Sequence, residues 1–180
     1  RQHVSALRGA ATMLPAHAQE DRLQGLRATM QVLEDSRASA PAIPQFALEY
    51  LLTSCQLASD LRMAKALPEA EAVLRQAEAE LPGVGSAERR QMTCRVSMGR
   101  ADVAENAGDR PAAIVHCQAA LVAATAWEQE QPNRLLPRTM RCSVLRRLGH
   151  AQNYVGDFGD SAASFRQAIA IGEALIERFP

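Results

Sequence analysis

Apolar side chains recur along this chain at intervals of three and four, as in Val4, Leu7, Ala11 and Leu14 and again in Leu23, Leu26, Met30 and Leu33. That spacing gathers them on one face of an α-helix. Proline marks the breaks, because it lacks an amide donor and resists helix interiors but suits a first turn. The nine prolines stand at 15, 41, 44, 68, 82, 111, 132, 137 and 180. Between them the pattern predicts eight helices, near 2–14, 18–38, 45–66, 68–81, 86–106, 110–130, 137–155 and 159–178. Short connections make successive helices antiparallel neighbours. The expected fold class is all-α.

The second half of this pattern repeats itself. "AGDRPAAIVHCQAALVA" (107–123) lies over "VGDFGDSAASFRQAIAI" (155–171) at an offset of 48, with Gly108 on Gly156, Asp109 on Asp157, Cys117 on Phe165 and Ala120 on Ala168. An earlier copy, "KALPEAEAVLRQAEAEL" (65–81), aligns at an offset of 43, with Pro68 on Pro111, Ala70 on Ala113, Leu74 on Cys117 and Ala77 on Ala120. Lys65 stands where the later copies have glycine. A glycine at the end of a helix can adopt a left-handed conformation, and an acidic residue beside it can cap the next helix. Small residues four and seven positions apart then let two helices approach closely around one larger apolar side chain.

This pattern resembles the tetratricopeptide repeat family. The last copy carries Leu148, Gly149, Gly156, Asp157, Phe158, Phe165, Ala168 and Ile169 at the family's positions, while Ser161 replaces a usual alanine and Gln152 a usual aromatic. The offsets of 43 and 48 exceed the family's common period of 34. The resemblance implies an α-solenoid of antiparallel helix pairs wound into a right-handed superhelix. It implies three pairs within 41–180, at about 45–81, 86–130 and 137–179, and a divergent or capping pair in 1–40. In the family, the first helix of each pair lines a concave peptide-binding groove. Carried over, the groove positions are Cys55, Ser59, Arg62 and Met63; Arg95, Met98, Asp102, Glu105 and Asn106; and Arg146, His150, Asn153 and Tyr154. Such a surface suits an acidic or carboxylate-bearing peptide, since Arg grips carboxylate through paired hydrogen bonds while Met and Tyr give apolar contact. Asp102 and Glu105 argue against a uniformly anion-selective groove.

Composition agrees with helix. Alanine occurs 34 times and aromatic residues only seven times, so local preference is helical throughout. Twenty basic and twenty acidic residues cancel, which removes a global electrostatic case for nucleic acid or an anionic membrane. The basic run in 137–155, Arg138, Arg141, Arg146, Arg147 and His150, is regional. It reads as a solvated face paired with the preceding "WEQEQ" or an adjacent helix, or as part of the groove; RNA binding there lacks interleaved aromatics for base stacking. No apolar run approaches a membrane span, and the opening residues do not read as a signal peptide. A cytoplasmic location is expected, in a piece of a longer protein, since the chain opens inside a helical pattern.

Candidate chemistry is sparse. Cys55, Cys94, Cys117 and Cys142 form no CxxC pair, and reduced buried thiols are expected. His116 and Cys117 are adjacent, but neighbours on a helix point about 100° apart, and Cys117 falls at a core position of the repeat. His3, His17, His116 and His150 lack metal-ligand spacing. Asp157, Phe158 and Gly159 spell a kinase motif without its glycine-rich loop, strand-borne lysine or catalytic loop, and the resemblance puts them in a turn. Trp127 reads as an anchor for the following loop rather than as an exposed hot spot. No catalytic, cofactor-binding or metal-binding residue is expected. The functional expectation is a non-enzymatic protein- or peptide-binding scaffold. The ending looks particularly like repeat regions attached to bacterial serine/threonine kinases and related signalling regulators. The alternative is a ligand-sensing or autoinhibitory helical-repeat domain of a transcription regulator, which predicts a closed apolar pocket rather than an open groove.

Overall fold

A computed structural model describes residues 16–39 and 44–178. Seven helices succeed one another there: α1 (Ala16–Ser39), α2 (Pro44–Met63), α3 (Leu67–Glu80), α4 (Ser86–Asn106), α5 (Arg110–Glu130), α6 (Leu135–Tyr154) and α7 (Phe158–Arg178). No strand occurs among the described residues. The expected helix over 2–14 lies outside them. A short 3-10 turn at Leu81–Gly83, absent from the sequence reading, buries Val84 behind it. Helix α6 begins two residues before Pro137, which sits buried in its first turn where no helical amide is required.

Three connections share one geometry. Lys65, Gly108 and Gly156 all take a positive φ, of 63°, 81° and 84°. In each turn this residue's N–H donates to the carbonyl three positions back: Lys65 to Arg62 at 3.0 Å, Gly108 to Glu105 at 3.1 Å, Gly156 to Asn153 at 3.1 Å. The next N–H reaches five positions back: Ala66 to Leu61 at 2.9 Å, Asp109 to Ala104 at 2.9 Å, Asp157 to Gln152 at 3.0 Å. This is the paired hydrogen-bond pattern that closes a helix through a left-handed residue. Asp109 then caps the following helix by accepting from Ala112 N at 3.0 Å, and Asp157 reaches Asp160 N at 3.4 Å. Ala66, at the same place in the first turn, has no side chain that can cap. Asp157 therefore serves a turn, and Phe158 opens α7 with its ring exposed.

Adjacent helices pack in pairs, and the repeat positions close the seams. Ala70, Leu74 and Ala77 of α3 and Ala113, Cys117 and Ala120 of α5 are buried, as are Ser161 and Ala168 of α7. Across the last seam the Ser161 hydroxyl donates to Gly149 O at 2.8 Å, the Ser164 hydroxyl bonds the buried Gln152 amide at 2.8 Å, and Cys142 Sγ meets Ala168 O at 3.3 Å. Ser161 and Ser164, near the turn, meet Gly149 and Gln152, whereas Ala168, farther along α7, meets Cys142 farther back on α6, so the two run antiparallel. The polar departures at Gln152 and Ser161 are thus satisfied within the seam, as buried polar groups must be. Beyond sequence neighbours, the backbones of α2 and α4 and of α4 and α6 also approach each other, whereas α3, α5 and α7 do not meet one another. Helices α2, α4 and α6 therefore form one side of the molecule.

The largest core cluster joins α1 to α4 through Leu23, Met30, Tyr50, Leu51, Leu61, Leu74, Met92 and Val96. Between α4, α5 and α6 the seams are alanine-rich: Cys94, Ala120, Ala123, Ala124 and Val144 in one cluster, Ala101, Cys117 and Leu148 in another. Trp127 is buried at the end of α5.

The left-handed turns give a direct expectation. A side chain at positive φ costs about 1 kcal/mol relative to glycine, so Lys65→Gly should stabilise the protein by about that amount. Gly108→Ala and Gly156→Ala should each destabilise it by a similar amount, read from urea unfolding midpoints.

Candidate binding groove

A groove of about 290 Å³ opens between the helices of that side, lined by Cys55, Ala58, Ser59 and Arg62 from α2, Arg95, Met98, Gly99 and Asp102 from α4, and Met140 from α6. The two quartets share the spacing 0, 3, 4, 7, which places each on a single helical face. They differ by a constant 40 residues, so the two faces lie in register. Ala58 is buried, and Cys55, Met98 and Met140 are half-buried, making an apolar floor; Ser59 and Arg95 reach solvent.

The electrostatics follow from which charges are already matched. Asp102 forms an ion pair with Arg147 of α6, and Glu105 pairs with Arg110 at 3.3 Å. The two carboxylates that weighed against anion binding are therefore offset within the protein. Arg62 and Arg95 have no carboxylate partner among the described residues. Burial and the nearby Arg62 charge lower the pKa of Arg147, which places Arg62 close to the Arg147–Asp102 pair. The groove lining thus carries two uncommitted guanidiniums, and its one carboxylate is taken up by Arg147 of α6.

The other positions carried over from the sequence are distributed elsewhere. Met63 is exposed just beyond the C-terminal end of the α2 quartet. Asn106 turns back to donate to Asp102 O at 2.8 Å. Arg146 and Asn153 are exposed on α6. His150 stands edge-on to Phe165 of α7, ring centroids 5.0 Å apart at 81°, and Tyr154 lies under the Arg110 guanidinium at 4.1 Å. None of these six residues, nor Glu105, lines the groove.

Sequence reasoning missed Met140. The turns repeat at 48 between α4 and α6, but Asp102 meets Arg147 at a separation of 45. Likewise the turns of α2 and α4 repeat at 43 while their groove quartets differ by 40. Each neighbouring helix is slid by nearly one turn, a shift of about 4.5 Å. The repeat alignment alone therefore overshoots along α6, where Met140 is the residue that lines the groove. The basic run in α6 is largely internal bookkeeping of charge: Arg138 and Arg141 both reach Glu128, at 3.4 and 3.0 Å, and Arg147 holds Asp102.

The thiols are poor nucleophiles in this setting. Burial pushes Cys55 up to about 11 and Cys94 up to about 12, outweighing the Arg95 charge beside them. Burial and Glu105 raise Cys117 to about 11. His116 and Cys117 have different surroundings: burial and Arg100 lower the His116 pKa, against Glu71, Glu78 and Asp109, whereas Cys117 packs on Ala101 and Leu148. Among the described residues no cluster of three or more His, Cys, Asp or Glu side chains gathers as for a metal ion. No described helix is long and apolar enough to cross a membrane. At the level of class, the described chain is a protein of helices packed in sequence-adjacent pairs. No protein-family model, curated protein or solved structure matches the chain.

These thiol shifts fix a pH dependence. An unfolded thiol ionises near 9.0 and the folded ones near 11 to 12, so between those values the folded state holds more protons and stability falls as pH rises. Alkylation of Cys94 and Cys117 by iodoacetamide at pH 8 should proceed far more slowly in the native protein than in urea. The loss of stability between pH 9 and 11 should be smaller in a Cys94→Ala/Cys117→Ala variant than in the parent chain.

Proposed function

We propose that this chain is a tetratricopeptide-like α-solenoid, a right-handed stack of antiparallel helix pairs, that acts as a non-enzymatic docking module for a protein or peptide partner. Pairs α2–α3, α4–α5 and α6–α7 are the repeats, and α1 belongs to a divergent capping segment. Three turns with the same left-handed residue and the same two hydrogen bonds support this reading, as do the buried small residues at matching positions of α3, α5 and α7. The chemistry rests on one observation: two guanidiniums without carboxylate partners, Arg62 and Arg95, stand over an apolar floor on the side formed by α2, α4 and α6. An anionic segment of a partner complements that surface, and packing of the pairs holds it in place so that the partner bears most of the ordering cost. In a larger signalling protein, such as the bacterial serine/threonine kinases whose repeat regions the C-terminal copy resembles, such a module recruits substrates or regulators to chemistry performed elsewhere.

The groove's small volume and its Cys55, Ala58, Met98 and Met140 lining also suit a second reading, a ligand-sensing repeat domain of a transcription regulator. An array of short peptides with and without Asp and Glu separates charge-directed peptide binding from no peptide binding at all. Acidic peptides should bind, with affinity falling as salt rises. Arg62→Glu and Arg95→Glu should each weaken capture by about tenfold or more while helix content is unchanged. Arg146→Glu, outside the groove, should leave capture intact. Undiminished binding by both groove variants overturns the assignment of the contact face.

A further inference from the structure

Helix α7 carries an apolar stripe that no other described residue covers. Phe158, Ala162, Phe165, Ile169, Gly172 and Ile176 follow one another at alternating steps of four and three, the spacing that lines one edge of a helix paired with another. The seam with α6 uses a different edge, where Ser161, Ser164 and Ala168 are buried, and α6 is the only helix that α7 meets among the described residues. Phe158, Ile169 and Ile176 accordingly stand exposed. Phe165 joins the two edges, its ring lying against Gly149 and edge-on to His150. Gly172 sits in mid-helix, where glycine is unfavourable compared with alanine. A Cβ there would meet nothing within 4 Å, so the described fold makes no use of its small size.

Helix α5 shows how the same edge is used when a neighbour is present. Its counterparts at the 48-residue offset include Ile114, Leu121 and Glu128. The first two pack against the cluster that contains Leu148 of α6, and Glu128 holds Arg138 and Arg141 of α6. In α7 those positions are Ala162, Ile169 and Ile176. The edge keeps its apolar centre but loses its acid, so a helix built like α6 would bring two guanidiniums against an isoleucine and leave them without a partner. The stripe instead complements itself. Reversed about its midpoint, it pairs Phe158 with Ile176, Ala162 with Gly172 and Phe165 with Ile169, large with large and small with small. That is the order an isologous two-fold contact requires, and the small pair lets two helices cross closely. The antiparallel arrangement also sets Arg166 of one copy on the same flank as Glu173 of the other. We propose that two copies of this chain associate through an antiparallel contact of α7 with α7, in which Ala162 of each crosses Gly172 of the other. The groove is lined by α2, α4 and α6 alone, so this association goes beyond the docking function and leaves two grooves open per assembly.

One helix against one helix is a small interface, so a reversible dimer is expected, followed by sedimentation velocity from about 1 to 200 µM. Ile169→Glu should weaken the dimer by about tenfold or more at unchanged helix content. Gly172→Gln separates the contact from a role inside the fold. Glutamine favours helix, so this variant should unfold at a higher urea concentration when dilute, yet dimerise at least about tenfold more weakly. Cross-linking reads the register. Positions 162 and 172 lie about 15 Å apart along one helix, too far for a disulfide. Mild oxidation of Ala162→Cys mixed with Gly172→Cys should therefore give a covalent dimer, while neither variant alone, nor the parent chain, should. A monomer at every concentration overturns the inference, including the case in which Ile169→Glu destabilises that monomer, which would show the stripe covered within the chain. A dimer indifferent to Ile169→Glu, or one that Ala162→Cys alone cross-links, overturns it as well, by moving the contact elsewhere or making the helices parallel. Acidic-peptide capture by Ile169→Glu should match that of the parent chain, so the groove reading stands or falls separately.

Discussion

The whole arrangement depends on reversing a helix within two or three residues and bringing the next one back at close range. The reversal needs a residue in the left-handed region, which Gly108 and Gly156 occupy readily and Lys65 occupies at a cost. The close return needs small side chains where backbones cross, which Ala70 and Ala77, Ala113 and Ala120, and Ser161 and Ala168 supply. With alanine on the seams between α4, α5 and α6 there is little volume to adjust, so those helices are set by backbone approach, whereas α1 to α4 interlock through larger side chains such as Tyr50, Leu51, Leu74 and Met92. That leaves α4 beside both α2 and α6, with the groove opening where residues of the three helices meet.

Charge is laid out with the same economy. Many of the basic residues tie one helix to another: Arg22 to Asp60 between α1 and α2, Arg27 to Glu69 between α1 and α3, Arg100 to Glu71 and Glu78 between α4 and α3, Arg141 to Glu128 between α6 and α5. The exposed one, Arg27 with Glu69, contributes little stability by itself. The pairs' joint effect is on the pattern, since they neutralise the flanks and the α6 basic run while Arg62 and Arg95 keep their charge at the groove. A chain with zero net charge can in this way present a locally cationic surface. The nearby thiols, neutral at ordinary pH, leave that charge unopposed.

The all-α architecture was legible because its signals are local. The helices expected over 86–106 and 110–130 appear as Ser86–Asn106 and Arg110–Glu130, since a capping aspartate, a proline at the second helical position and a glycine after the first helix mark both ends. The start of α6 was less legible, because proline reads as a first residue yet also fits the second half of a first turn, and Leu135 precedes it. Lys65 gave no local warning of its left-handed backbone; only its alignment with Gly108 and Gly156 carried that information. At the groove, the residues that repeat spacing placed on α2 and α4 include Cys55, Ser59, Arg62, Arg95, Met98 and Asp102, which the structure brings together. Met140 escaped because lateral sliding between neighbouring helices is a tertiary property. The ion pairs that neutralise Asp102 and Glu105 escaped for the same reason, their partners being set by packing rather than by spacing.

The Arg147–Asp102 contact is where this account is most exposed, for it joins α4 to α6, defines their register and silences the one acid in the groove. A double-mutant cycle of Asp102→Asn and Arg147→Gln, read by urea unfolding, measures it directly. The account predicts a coupling of about 1 kcal/mol or more between the two sites. Strictly additive effects would place the two residues apart and contradict the side-by-side packing of α4 and α6 on which the groove rests.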